Sequence, residues 1–154
     1  MTLLTTGQAI TESLRLRPAS PYLIRRTTAD HLLPSGKMIA AGTYVMLDLI
    51  RASRDPAMFG PDPEQFNPRR QPLQLIKPFA LGFGSGPHTC IAMNMTMGEG
   101  GSEDNGAQGL FVLLLAAFYR AGGRMDPDRP PRRNDANARN EYLDVPVCFD
   151  VSPA

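Results

Sequence analysis

A mainly α-helical fold with a small β-sheet, an α+β arrangement, is what the sequence predicts, and three observations carry it. Residues 6–17 and 107–120 combine good helix formers with apolar residues. Between them, residues 21–49 are rich in β-branched and aromatic side chains and are punctuated by turn residues. Fifteen prolines and fourteen glycines make up nearly a fifth of the 154 residues, a share that favours irregular connections over long helices. A chain of this length buries about 70% of the surface its unfolded form exposes, enough for one domain.

The elements follow in chain order. Residues 1–17 form a helix in which Ala9, Ile10, Leu14 and Leu16 are apolar and Pro18 is the stop. Residues 21–49 form strands and a hairpin about Pro34-Ser35-Gly36, with Gly42 as a further break, and make one small sheet. Residues 50–82 carry prolines at 56, 61, 63, 68, 72 and 78 without apolar periodicity, so they form a meander held by side-chain contacts. Residues 83–99 are a Gly-rich loop closing on Cys90 with the start of a helix behind it. The run Gly100-Gly101-Ser102-Glu103-Asp104-Asn105-Gly106 after Glu99 is a looped-out insertion or a broken helix, since each glycine costs about 1 kcal/mol in a helix against alanine. Residues 107–121 are an apolar helix ended by Gly122 and Gly123. Arginines, aspartates and prolines alternate over 124–139 and read as a solvated loop, and 141–152 alternates as a terminal strand with Cys148 as an inert core residue.

Charge and cysteine content exclude several classes. With 16 Lys+Arg against 15 Asp+Glu the net charge is +1, so the pull that nucleic acid requires is missing and no nucleic-acid partner is expected. The cations are fourteen arginines and only Lys37 and Lys77, a bias toward fixed bidentate pairs with carboxylates. Cys90 and Cys148 are too few and too far apart for a disulfide framework or a zinc site, which leaves a single-ligand role open to one of them. The N-terminus lacks a basic start and a long apolar stretch, and the longest apolar run, 110–119, is about half a bilayer span; a soluble, cytoplasmic protein is expected.

The chemistry concentrates in Phe83-Gly84-Ser85-Gly86-Pro87-His88-Thr89-Cys90. A cysteine that opens a helix behind glycines has its thiolate favoured by backbone N–H groups and by the helix dipole, which suits a metal ligand. Met93, Met95 and Met97 recur with a period of two, unlike a helix face, and are assigned no ligand role.

This stretch resembles the haem-binding loop of the cytochrome P450 family, F-x-x-G-x-[RH]-x-C-x-[GA], at Phe83, Gly86, His88, Cys90 and Ala92. Three further motifs agree in order. Glu12-Ser13-Leu14-Arg15 is an E-x-x-R, Ser53-Arg54-Asp55-Pro56-Ala57-Met58-Phe59 is similar to N-R-D-P-x-x-F, and Pro63-Glu64-Gln65-Phe66-Asn67-Pro68-Arg69-Arg70 is similar to P-E-x-F-x-P-x-R. The resemblance implies the C-terminal, haem-binding part of the P450 fold, truncated at its start, with haem b as cofactor.

It also implies roles for named residues. Cys90 would be the axial thiolate ligand of the haem iron, with the amides near Gly86 and Ile91 donating to its sulfur. Phe83 would shield the sulfur and Ala92 would lie near the porphyrin face. His88 would reach one propionate, and Arg25, or else Arg26, the other; Arg25 is preferred because Asp30 then falls where the family often has an aspartate. Glu12, Arg15 and Arg70, or else Arg69, would form a buried structural triad. Tyr22 and Leu23 would face substrate. Beyond the haem ligand no catalytic residue is identified.

The function implied is a haem-thiolate oxidoreductase, a monooxygenase placing one atom of O2 in a small organic substrate, with a ferredoxin or flavin reductase as electron donor. Family members are far longer, and neither the distal helix nor an [AG]-G-x-[DE]-T-[TS] segment occurs here. Two alternatives follow: a non-catalytic haem-binding or degenerate piece, and a peroxygenase or isomerase-type thiolate-haem enzyme. A separate chain supplying the distal half is the partner that would restore the first function.

Overall fold

The computed structural model describes residues 3–73, 76–98, 109–136 and 141–150. Helix α1 runs Leu3–Leu16, and the chain leaves it at Pro18, whose ring disfavours helical geometry in the residue before it. The strand-rich region is two nested antiparallel pairs. β1 (Tyr22–Arg26) pairs with β4 (Tyr44–Asp48), from Tyr22 opposite Asp48 to Arg26 opposite Tyr44. At the far end β2 (His31–Leu32) pairs with β3 (Met38–Ile39), and Gly36 turns the chain with φ of 80°. The carboxylate of Asp30 accepts from the amide of Ala41 (2.7 Å) and ties the two pairs together.

The meander is anchored by two short capped helices. In α2 (Leu49–Ala52) the Asp48 carboxylate accepts from the Arg51 amide, and in α3 (Pro56–Phe59) the Asp55 carboxylate accepts from the Ala57 amide, each at 2.9 Å. A 3-10 turn, Gly86–His88, precedes α4 (Met93–Met97). The apolar helix α5 spans Leu110–Arg120. The chain then forms two further pairs, β5 (Gly123–Met125) with β8 (Val147–Phe149) and β6 (Arg132–Arg133) with β7 (Tyr142–Asp144).

The buried apolar residues are Ile10 and Leu16 of α1, Leu49, Phe59, and Val112 and Ala116 of α5. α5 packs on α1 and α4. Contact with α4 is tight enough that a Cβ at Gly109 would collide with the carbonyl of Thr96 and the backbone of Met97, so glycine is required where α5 begins.

Several expectations change. The single small sheet expected over 21–49 is two separate two-stranded pairs, and two further pairs follow α5 among the described residues. The terminal strand expected over 141–152 is interrupted at Val145 and Pro146, because Pro146 has no N–H to give a ladder, and its two halves take different partners. Cys148 is half-buried rather than in the core, its thiol 3.9 Å from the carbonyl of Met125. Met93, Met95 and Met97 all lie on α4 despite their period of two. Glu99 and the run 100–106 lie outside the described residues.

Candidate cofactor and metal-ligand site

The site rests on an ionic cluster centred on α1. The i, i+3 spacing of Glu12 and Arg15 sets both on one helix face, where Arg15 donates through Nε to Oε2 (2.7 Å) and through a terminal nitrogen to Oε1 (2.8 Å). From the meander, Arg70 Nε donates to the same Oε1 (3.0 Å), as does the main-chain N–H of Asn67 (3.1 Å). Arg15 is fully buried; it also donates to the carbonyl of Ser53 (2.6 Å) and lies over the ring of Phe59, 4.9 Å from its centre. Arg70 completes its set on the carbonyls of Phe59, Asp62 and Gln65. Arg69 is exposed, and only its amide is engaged, by the Asn67 side chain. Burial pushes the Glu12 carboxyl up, but donation from Arg15, Asn67 and Arg70 outweighs it and holds the group below the usual carboxylate range.

Sequence reasoning missed three members of this assembly. Arg54 donates to the carbonyls of Leu16 (2.7 Å) and Ile50 (3.1 Å) and pairs with Glu64 (2.6 Å), so it caps the C-terminus of α1 and ties it to the meander. Phe59 and Ser53 close the cluster from below; the buried Ser53 hydroxyl has no hydrogen-bond partner among the described residues. The only signal for Arg54 was its membership of the Ser53-Arg54-Asp55-Pro56 motif.

The cysteine loop starts against this cluster: a Cβ on Gly82 would lie 3.4 Å from the carbonyl of Leu14 in α1. Phe83 meets Phe79 edge-on, with ring centres 5.2 Å apart. The loop is closed by the Cys90 amide donating to the Phe83 carbonyl (2.8 Å) and, within it, by the amide and hydroxyl of Thr89 on the carbonyl of Gly86 (3.0 and 2.8 Å). Gly84 and Gly86 take φ of 72° and 66°, a region that L side chains avoid, which is what lets the chain turn back on itself here. Behind Cys90, its carbonyl accepts from the Met93 amide at the start of α4 (3.1 Å), and the Lys77 ammonium reaches the Met93 sulfur (3.5 Å).

Cys90, Gly86 and His88 are exposed, Phe83 and Ala92 are half-buried, and Ile91 is 100% exposed. Arg25 lies on β1, half-buried, with its guanidinium on the carbonyl of Ile24 (2.9 Å). Arg26 donates to Gly42 and stacks over Tyr44. Tyr22 is exposed and Leu23 half-buried on the same strand. The structure thus brings Glu12, Arg15 and Arg70 into direct contact and sets Phe83, Gly86, His88, Cys90, Ile91 and Ala92 on one loop. Arg25, Tyr22 and Leu23 stand on a different element.

This donor set offers a single soft ligand. Among the described residues no three His, Cys, Asp or Glu side chains converge, so no chelating cage for a bare ion is built there. An exposed soft sulfur flanked by apolar Ile91 and Ala92 instead fits an iron whose remaining positions are filled by a flat macrocycle, which asks the protein for one axial ligand and an apolar face.

A family model described as cytochrome P450 matches residues 1–100. Human cytochrome P450 4F2 is 37% identical over 124 residues, covering 78% of this chain and 22% of the relative. Cytochrome P450 71A18 of Arabidopsis thaliana is 35% identical over 99 residues, 58% of this chain and 19% of the relative. In fold, the chain is similar to substrate-free CYP109E1 from Bacillus megaterium, with a TM-score of 0.71 and 21% identity over 96% of this chain and 34% of that one. It is likewise similar to cytochrome P450 TbtJ1, with a TM-score of 0.65, 26% identity and coverage of 93% and 34%. The chain therefore spans about a fifth of the length of the curated relatives it matches.

Proposed function

The chain belongs to the cytochrome P450 family, and from that premise we propose that it is the cysteine-ligand part of a haem-thiolate oxidoreductase of monooxygenase type, with Cys90 as the axial ligand. The observation that carries the reading is the Phe83 to Cys90 loop, closed by its own main chain so that the only exposed cysteine among the described residues stands at its rim. Haem b, when bound, supplies the electron-transfer and oxygen chemistry that amino-acid side chains lack.

The chain's own residues hold and tune that group. Cys90 contributes the thiolate, and the fixed loop sets the direction of its sulfur. Phe83, braced by Phe79, keeps water from the sulfur side, and Ile91 and Ala92 offer apolar contact to the macrocycle. His88 and Arg25 take the propionates. Glu12, Arg15 and Arg70 fix α1 against the meander and so hold the base of the loop. Tyr22 and Leu23 border the substrate, a small organic molecule, and a ferredoxin or flavin reductase delivers electrons. A polypeptide supplying the distal half completes the oxygen-binding side.

The ferrous CO difference spectrum of the haem-loaded chain tests the reading. A red-shifted Soret band of thiolate type is expected, and Cys90→Ser should abolish it. A band characteristic of imidazole or water ligation, unchanged in Cys90→Ser, overturns the assignment.

A further inference from the structure

The ammonium of Lys77, one of only two lysines in the chain, meets two unlike partners. Its nitrogen is 3.5 Å from the sulfur of Met93 and 5.5 Å from the centre of the Phe79 ring. Phe79 in turn meets Phe83 edge-on, the Phe83 carbonyl accepts from the Cys90 amide, and the Cys90 carbonyl accepts from the Met93 amide. These contacts form a closed circuit that starts and ends at Lys77. Cys90 therefore sits in a loop fastened twice, by main-chain bonds within and by one side chain across its outer edge. The segment that Lys77 opens is also strained. Among the described residues Ala80 is the only non-glycine with a positive φ, 52°. Its amide donates to the Lys77 carbonyl (2.8 Å), that of Gly82 to Phe79 (3.1 Å) and that of Gly84 to Leu81 (2.8 Å), so consecutive turns run from Lys77 into the cysteine loop. An alanine in that conformation persists only where its surroundings hold it.

We infer that Lys77 is a positioning residue for Cys90: held by the Phe79 ring and the Met93 sulfur, its ammonium latches the strained turns 77–84 to α4 and so fixes the direction of the thiolate. A cation suits the place because both partners offer electron density, the face of an aromatic ring and the lone pair of a thioether. The latch joins the two flanks of the loop, since Lys77 precedes it and Met93 opens the helix behind it. This rests on the haem-thiolate reading above and adds to it the side chain that keeps the ligand's loop shut.

Native-state amide exchange of the full chain, followed by NMR, reads the latch directly, because the Cys90 amide is the donor that closes the loop. Lys77→Met keeps the stem and removes the charge, and should speed exchange of that amide about fivefold, the change expected when a cation–π contact at an exposed site is lost. Amides of the β1–β4 pair should exchange at unchanged rates, which separates local opening from lost stability. Lys77→Arg should restore the native rate. Met93→Leu should speed Cys90 exchange in the native background but add nothing to Lys77→Met. In the haem-loaded chain the thiolate-type CO band should be lost faster at a fixed urea concentration in Lys77→Met, and at the native rate in Lys77→Arg. Cys90 exchange indifferent to Lys77→Met, equal acceleration in the β1–β4 pair, no rescue by arginine, or band loss that ignores the substitution overturns the inference. The two readings fail separately: Lys77-dependent exchange in a chain that gives no thiolate band refutes the haem assignment and leaves the latch, whereas a thiolate band with exchange indifferent to Lys77 refutes the latch alone.

Discussion

Replacing Glu12 by Gln removes one negative charge from the centre of the α1 cluster and changes little else in shape. In the native arrangement the two carboxylate oxygens accept four hydrogen bonds, two from Arg15, one from Arg70 and one from the Asn67 amide. An amide cannot reproduce this, because one of its two positions is an NH2 that would face the donors of Arg15 or of Arg70. The Arg15 guanidinium has no exposure to water and would keep, besides one bond to the amide oxygen, only the Ser53 carbonyl and the face of Phe59. Breaking a buried pair from one side costs about 3 to 5 kcal/mol, a large part of a domain stability of about 10 kcal/mol. With a urea m-value of about 2 kcal/mol per molar, the unfolding midpoint should fall by about 1.5 to 2.5 M. Far-UV circular dichroism during urea titration reads this directly. Glu64→Gln is the control: Glu64 pairs with Arg54 at a similar distance, but its side chain is 72% exposed, so its loss should cost about 1 kcal/mol or less. Equal midpoint shifts for the two variants would refute the argument that burial, not ion pairing as such, makes the cluster strong.

Acid should act through the same group. Because the folded Glu12 carboxyl titrates below its ordinary value of 4.5, its contribution is complete above that pH and is lost as pH falls through the lowered folded value; the Tm measured from pH 6 downward should drop there, and less so in Glu12→Gln. Asp126 and Asp144, held low by Arg129 and Arg132, add a loss of the same sign that high salt should weaken, since both arginines face solvent. Ser53→Ala deletes a buried hydroxyl with no partner among the described residues, so the Tm should stay level or rise; a fall of several degrees would mean that the hydroxyl is satisfied. Gly109→Ala drives a methyl into the backbone of α4 and should cost about 1 to 3 kcal/mol by the same urea titration, whereas an unchanged midpoint would show that α4 and α5 separate freely.

The parts legible in the sequence are those in which residue type and local spacing carry the information. Glu12 and Arg15 are a pair on one face wherever a helix forms, and Pro18 ends that helix. The glycines before Cys90 mark a tight loop, and the motif order identifies the family. The fourteen arginines against two lysines also point to fixed pairs, and among the described residues Arg15, Arg54, Arg70, Arg124, Arg129, Arg132 and Arg133 each pair with a carboxylate.

What only the tertiary structure decided is which arginine does what. Arg70 and Arg69 are adjacent and chemically identical; Arg70 alone reaches Glu12 and three carbonyls because the meander turns its side chain inward. Arg54 caps α1 across 38 residues through the carbonyl of Leu16, and the cysteine loop is closed through the carbonyl of Phe83. Every residue has a carbonyl, so a bond that ends on one leaves no mark in the sequence. The orientation of α5 has the same origin: composition shows an apolar helix, and only the packing shows that Val112 and Ala116 are the residues turned toward α1 and α4.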